Sequence, residues 1–160
     1  MDLIASGDLK GILDVLSFMA DVERALAELY HACGETWDDG HGFWSGIEDE
    51  ENKHARNIES MKDIISRKPE RFEKGRPFNI MAAQTLIRGI RGNIDKVRTG
   101  TIQRKNALFM ARDMEQSMME QRYGEVVKTE DIEYLGLMKE IISDTAAHKA
   151  KLDAEIRNLN

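Results

Sequence analysis

The sequence predicts an all-α fold: a four-helix bundle of two antiparallel helical hairpins joined by a long crossover that contains a short helix. Three observations predict it. Only two prolines occur in 160 residues, while Leu, Met, Ala, Glu and Lys are abundant. Four segments place apolar residues at alternating steps of three and four, the spacing of one helical face. Short loops join the first segment to the second and the third to the fourth, whereas about 35 residues separate the second from the third. Short loops make antiparallel neighbours, and the long connection lets the third helix run parallel to the second. A chain of this length, 41% apolar and 32% charged, makes one globular domain over 1–160.

The first helix is expected from Asp8 to Cys33, with Ser6 as N-cap and Gly34 as stop. Its stripe reads Leu16, Met19, Glu23, Leu26, Tyr30, Cys33. A loop rich in Gly and Asp, 35–42, follows. The second helix, Phe43 to Arg67, ends before Pro69, and its stripe is Trp44, Ile47, Glu51, His54, Ile58, Met61, Ile65. Residues 68–78 form a polar connector. Ile80 to Val97 is a weaker amphipathic helix with Ile87, Ile90, Ile94 and Val97 on one face, expected to lie across the bundle. Gly89 and Gly92 weaken it by roughly 1 kcal/mol each relative to Ala. Thr101 is expected to cap the third bundle helix, Ile102 to Val126, whose stripe is Leu108, Ala111, Glu115, Met118, Arg122. Thr129 is expected to cap the fourth, which carries Tyr134, Met138, Ile141, Thr145, His148 and Leu152 and runs almost to the end of the chain.

Polar residues interrupt all four stripes. Glu51 and His54 point into the core together, one turn apart, and Glu23, Glu115 and His148 do so from the other helices. An unpaired buried charge is costly, so these groups need compensation. Carboxylate oxygens and imidazole nitrogens suit iron and manganese, and a bundle with Glu on two helices and Glu-x-x-His on the other two is the arrangement of a di-metal carboxylate site. Glu23, Glu51, His54, Glu115 and His148 are therefore the candidate metal ligands. Other readings stay open: a hydrogen-bonded Glu51–His54 pair without metal, a Glu115–Arg122 ion pair, or His148 as an ordinary core histidine. His31 and His41 fall off the stripe or in a loop, which suits surface roles.

The two halves echo each other. Aligning Glu23 with Glu115 matches Leu16 with Leu108, Asp21 with Asp113 and Glu28 with Glu120. Aligning His54 with His148 matches Ile47 with Ile141 and Glu50 with Asp144. The pattern is that of a duplicated helical hairpin.

Four segments carry a resemblance to a known family. VERALAELY (22–30), EENKHARNI from Glu50, ALFMARDMEQS from Ala107 and ISDTAAHKAKL from Ile142 resemble, in order, the four helices of the ferritin-like superfamily and its rubrerythrin-type branch. The resemblance implies a ferritin-like bundle with a di-iron centre, manganese or zinc being the alternatives, held by Glu23, Glu51, His54, Glu115 and His148, with Tyr30 beside it. It implies an oxidoreductase role, as a ferroxidase or peroxide-reducing protein in iron homeostasis or oxidative-stress defence. One position departs from the family pattern: Thr145 stands where Glu is expected. Asp144, four residues before His148, and Glu50, four before His54, are additional candidate ligands. Loss of the Glu leaves a lopsided, single-metal or metal-free site as a rival, in a bundle with a structural role. Iron storage in a large assembly is a second rival, and a hydroxylase acting on an organic substrate a third.

Composition narrows the setting. A single cysteine, Cys33, excludes an internal disulfide and a cysteine-held zinc or rubredoxin-type centre within these residues. The family's rubredoxin-like domain has no counterpart here, so an external electron donor is expected. No apolar run approaches the ~18–20 residues of a membrane span. The start MDLIASGDLK lacks the pattern of a secretory signal, so a cytoplasmic protein is expected. The total charge of −6 conceals an asymmetry: from Arg67 to Lys105 eleven Lys and Arg face three acids, leaving +8 there and −14 elsewhere. No aromatic interleaving accompanies these cations, which argues against nucleic acid. The segment is expected to neutralise an acidic bundle or a second subunit, in at least a homodimer.

Overall fold

In the computed structural model, which describes residues 6–37 and 40–159, the described chain is all-α apart from one short two-stranded pairing. Five helices form: α1 (Ser6–Trp37), α2 (Phe43–Arg67), α3 (Ile80–Arg98), α4 (Arg104–Glu120) and α5 (Ile132–Arg157). Each expected stripe is buried, except at Arg122. Helix α2 shows the cause most plainly: Trp44, Ile47, Ile58, Met61 and Ile65 share one face, and removing that face from water drives the packing.

The helices pair antiparallel. Gly34 of α1 meets Trp44 of α2, and Arg24 of α1 bonds Glu59 of α2 at 3.1 Å, so the two run in opposite directions. Arg104 pairs with Glu155 at 2.9 Å and Arg112 with Asp153 at 3.8 Å, which sets α4 against α5 in the same way. Asn57 donates to Glu140 at 3.1 Å and Lys53 pairs with it at 2.9 Å, joining α2 to α5. These contacts leave α4 running in the direction of α2.

Helix α3 differs from the expectation in length and place. It has 19 residues against 17 in α4, so it is not short. It lies along α1 rather than across the bundle: Ile80 lines a cleft with Gly7 and Gly11, and Arg98 pairs with Glu28 at 3.2 Å. Ala83, Ile87, Ile90, Ile94 and Val97 are buried, and Gly89 and Gly92 fall on the exposed face, where they cost packing nothing.

Helix ends depart most from expectation. Ser6, expected as the N-cap, is already helical, and the residues before it lie outside the described ones. Helix α1 passes through Gly34 to Trp37. Helix α4 begins after Gln103, while Thr101 Oγ1 donates back to the Lys96 carbonyl at 3.2 Å. It stops at Glu120, six residues before the expected Val126, because Arg122 adopts a left-handed φ of 55°. A 3-10 turn, Tyr123–Glu125, follows, and then β1 (Phe72–Lys74) pairs antiparallel with β2 (Val127–Thr129). Gly75 continues that pairing through its N–H to Val126 O at 2.9 Å, and a Cβ there would run into the Glu125 carbonyl.

The cap of α5 is Asp131, not Thr129. Asp131 accepts from Tyr134 N at 3.0 Å, while Thr129 Oγ1 donates to the Arg71 carbonyl and accepts from Asp131 N. Lys68 and Arg71 each reach Asp131 at 3.3 Å. They belong to the basic segment, six of whose cations pair with acids of other elements: Lys68 and Arg71 with Asp131, Lys74 with Asp8, Arg76 with Glu125, Arg98 with Glu28 and Arg104 with Glu155. These six pairings are made within the chain. Cys33 is a buried free thiol, pushed up to about 12 by burial. No helix among the described residues is long and apolar enough to cross a membrane.

Asp131→Ala should lower stability by about 1 kcal/mol in denaturant unfolding at neutral pH, the ordinary worth of such a cap. The Tyr134 N–H holds the Asp131 carboxyl below its usual range; burial opposes this, and Lys68 and Arg71 reinforce it. The folded value therefore lies below the unfolded one. Its contribution is present above the unfolded carboxylate range and is lost as pH falls through the folded value, so variant and parent should converge in acid.

Candidate metal centre

Seven polar or charged residues are buried among the described ones: Glu23, Glu51, His54, Glu115, Asp131, Thr145 and His148. Asp131 caps a helix, and Thr145 Oγ1 donates to Ile141 O of its own helix at 2.8 Å. The other five are the five expected ligands, and the structure brings all of them together. The helical stripes carry them there: one from α1, two from α2, one from α4 and one from α5.

Glu51 lies at the centre. Its Oε2 accepts from His54 Nδ1 at 3.1 Å and its Oε1 from His148 Nδ1 at 2.8 Å. Glu23 Oε2 is 3.7 Å from His54 Nδ1, and Glu115 Oε1 is 3.6 Å from His148 Nδ1. The two imidazole rings stack at 5.6 Å between centroids, inclined by 26°. The result is two ligand groups, Glu23–Glu51–His54 and Glu51–Glu115–His148, each with donor atoms within 4.8 Å of one another and both using Glu51. Each could hold a metal ion.

The far side of each imidazole is also held. His54 Nε2 donates to Asp144 Oδ2 at 3.0 Å, and His148 Nε2 donates to Glu50 Oε2. The contacts cross between helices: α5 supplies the carboxylate for the α2 histidine, and α2 the one for the α5 histidine. Lys53 lies 3.3 Å from Asp144, and Lys151 lies 3.6 Å from Glu50. Asp144 and Glu50 therefore do not join the ligand groups, as their candidacy would require. They orient the ligands from behind, fixing Nδ1 toward the centre. Their spacing, four residues before each histidine, is legible in the sequence; the crossed partnership and the two lysines are not.

Electrostatics fit the geometry. Burial works against charge on His54, but Glu23 and Glu51 outweigh it and push it up to about 10. His148 is likewise disfavoured by burial yet pushed up to about 11 by Glu115 and Glu51. Burial, then the neighbouring Glu51 charge, raises Glu23 well above the ordinary range. Without metal, protons thus do the neutralising. Glu115 has further support, since the Tyr30 hydroxyl donates to its Oε1. Glu23 has none: both its oxygens are buried without a hydrogen-bond partner. A buried carboxyl without a hydrogen bond is costly, and the donor set around it is one that divalent iron, manganese or zinc accepts. The residues fit a metal.

Of the rival pairings, the Glu51–His54 hydrogen bond forms, at 3.1 Å, and the Glu115–Arg122 ion pair does not. Arg122 is exposed and pairs with Glu125 at 2.6 Å, not with Glu115. His31 is exposed between Glu35 and Glu48, and His41 is exposed.

Comparison with family models, with curated proteins and with solved structures finds no match to this chain.

Asp144→Asn and Glu50→Gln should each weaken metal binding by roughly 10- to 100-fold while leaving helix content unchanged. Competition against a chromophoric chelator, alongside circular dichroism, measures both.

Proposed function

We propose that this chain is a ferritin-like, rubrerythrin-type di-metal carboxylate protein, that its metal is iron, and that it acts as a ferroxidase or peroxide-reducing protein. One observation carries the reading: two buried Glu–Glu–His groups share the Glu51 carboxylate, one oxygen facing each group. The four-segment resemblance and the antiparallel pairing of α1 with α2 and α4 with α5 support it.

Iron bound there supplies one-electron chemistry between Fe(II) and Fe(III) toward peroxide or dioxygen. The protein's own part follows from the geometry. Glu51 spans the two positions. His54 and His148 each present Nδ1 to one of them and keep that orientation through Asp144 and Glu50. Glu23 and Glu115 close the outer sides, and Tyr30 holds an oxygen of Glu115 by hydrogen bond. The burial of Glu23, Glu51, His54, Glu115, His148 and Tyr30 keeps bulk water from these groups and strengthens the interactions between their charges.

Anaerobic loading with Fe(II) should give two equivalents bound per chain, and added peroxide should produce ferric absorbance. Absence of bound iron defeats the reading. Glu51→Ala should remove both equivalents, whereas Glu23→Ala should remove one. A metal-free structural bundle is the rival that Thr145 favours; under it, Thr145→Glu would sharply raise an otherwise negligible affinity. Iron storage would require a large assembly, which size-exclusion chromatography of the loaded protein detects.

A further inference from the structure

Helix α5 has two apolar faces, and the chain itself packs only one of them. Its inner stripe runs from Tyr134 to Leu152. On one flank lies α4, through Arg112 and Asp153, and on the other lies α2, through Lys53 with Glu140 and Lys151 with Glu50. The outward face repeats the helical spacing. Ile132, Leu135, Lys139, Ile142, Ala146 and Ala150 stand at steps of three and four, with Gly136 and Ser143 beside them, and all are exposed. Ile132 is 86% exposed, Ile142 51% and Leu135 45%. These are three of the six large hydrophobic side chains exposed among the described residues. A fourth, Met119, lines with Ile142 a cavity of about 220 Å³ beside Thr145. Lys139 is the one charge on the strip. A helix apolar on all sides is ordinarily covered on all sides, and none of the described residues covers this one.

The strip is uneven in a way that selects its partner. Ile132 and Leu135 make its first half bulky, while Ala146 and Ala150 make its second half flat. Laid antiparallel on itself, the bulky half of each copy meets the flat half of the other. Ile132 then faces Ala150, Leu135 faces Ala146, Lys139 faces the Ser143 hydroxyl, and Ile142 sits beside the two-fold axis. Charge runs the same way. Glu130, just before α5, and Arg157, at its end, are exposed and have no ion pair among the described residues. Antiparallel pairing brings the Glu130 end of one copy beside the Arg157 end of the other. The area suffices as well. From Ile132 to Ala150 the strip is about 27 Å long, and half the girth of a helix is about 16 Å, which gives roughly 900 Å² for the two copies together. Met119 and the mouth of the cavity bring this to about 1,000 Å², the lower end for a specific association.

We propose that a second copy of this chain docks on this strip, α5 against α5 about a two-fold axis near Ile142. The face lies apart from the basic segment 67–105, and the inference does not depend on the metal reading. An interface of this size dissociates in roughly the micromolar range.

Sedimentation equilibrium of the full chain, from about 1 to about 500 µM, should show the mass rising toward twice that of the monomer. Ile132→Asp should weaken the dimer at least about tenfold with unchanged circular dichroism, since the side chain is exposed and an acid suits the first turn of a helix. Cross-linking tests the direction. Ile132→Cys and Ala150→Cys, mixed with a short bifunctional maleimide, should join to each other. Each alone should stay single, because its two copies stand about 27 Å apart along the pair. The parent, whose Cys33 is buried, should stay single too. A monomer at every concentration overturns the proposal. So does a dimer that Ile132→Asp leaves unchanged, or cross-linking of Ile132→Cys to itself.

Discussion

The Glu51 carboxylate, buried between two imidazoles, is the constraint around which the rest is arranged. Its two oxygens face different helices, so it ties α2 to α5 and sets where α1 and α4 must bring their own carboxylates. Taking such a group out of water costs several kcal/mol unless its partners answer it closely. The surrounding stripes of Leu, Ile and Met supply the burial that offsets this cost. A bundle held only by hydrophobic packing would have no reason to place five ionisable groups at one depth.

The near-symmetry of the site matches the echo between the two halves of the sequence, and its asymmetries are as informative. Glu50 with His148 and Asp144 with His54 form crossed, equivalent contacts, each backed by a lysine. Glu23 and Glu115 occupy equivalent places, yet only Glu115 receives a hydroxyl, from Tyr30. Thr145 breaks the symmetry on the other axis. The two halves thus differ at Thr145 and in the hydroxyl at Glu115, while each histidine has a carboxylate behind it.

The stripes were legible because helical period and burial are the same fact seen twice: once a face is apolar at steps of three and four, its polar exceptions must be interior too. Glu23, Glu51, His54, Glu115 and His148 follow from that alone, and all five are buried in one cluster. Helix ends were poorly legible. Thr101 and Thr129 are good capping residues that the chain uses elsewhere, as hydroxyl donors to carbonyls. Arg122 ends α4 through a backbone conformation that its side chain does not announce. The β1–β2 pairing is not legible in the sequence, because three residues are too few to show alternation.

What the sequence determined by itself is the all-helical class, the face of each helix that is buried, and the identity of the groups carried inside. These depend on local period and on transfer from water, which a linear string records. Only the tertiary structure decided which group meets which. The crossing of Glu50 and Asp144 to the opposite helices, the laying of α3 along α1, the lack of a hydrogen bond at Glu23 and the cavity at Thr145 all depend on distances between elements far apart in the chain. Those distances come from packing the whole core at once, and no single segment contains them.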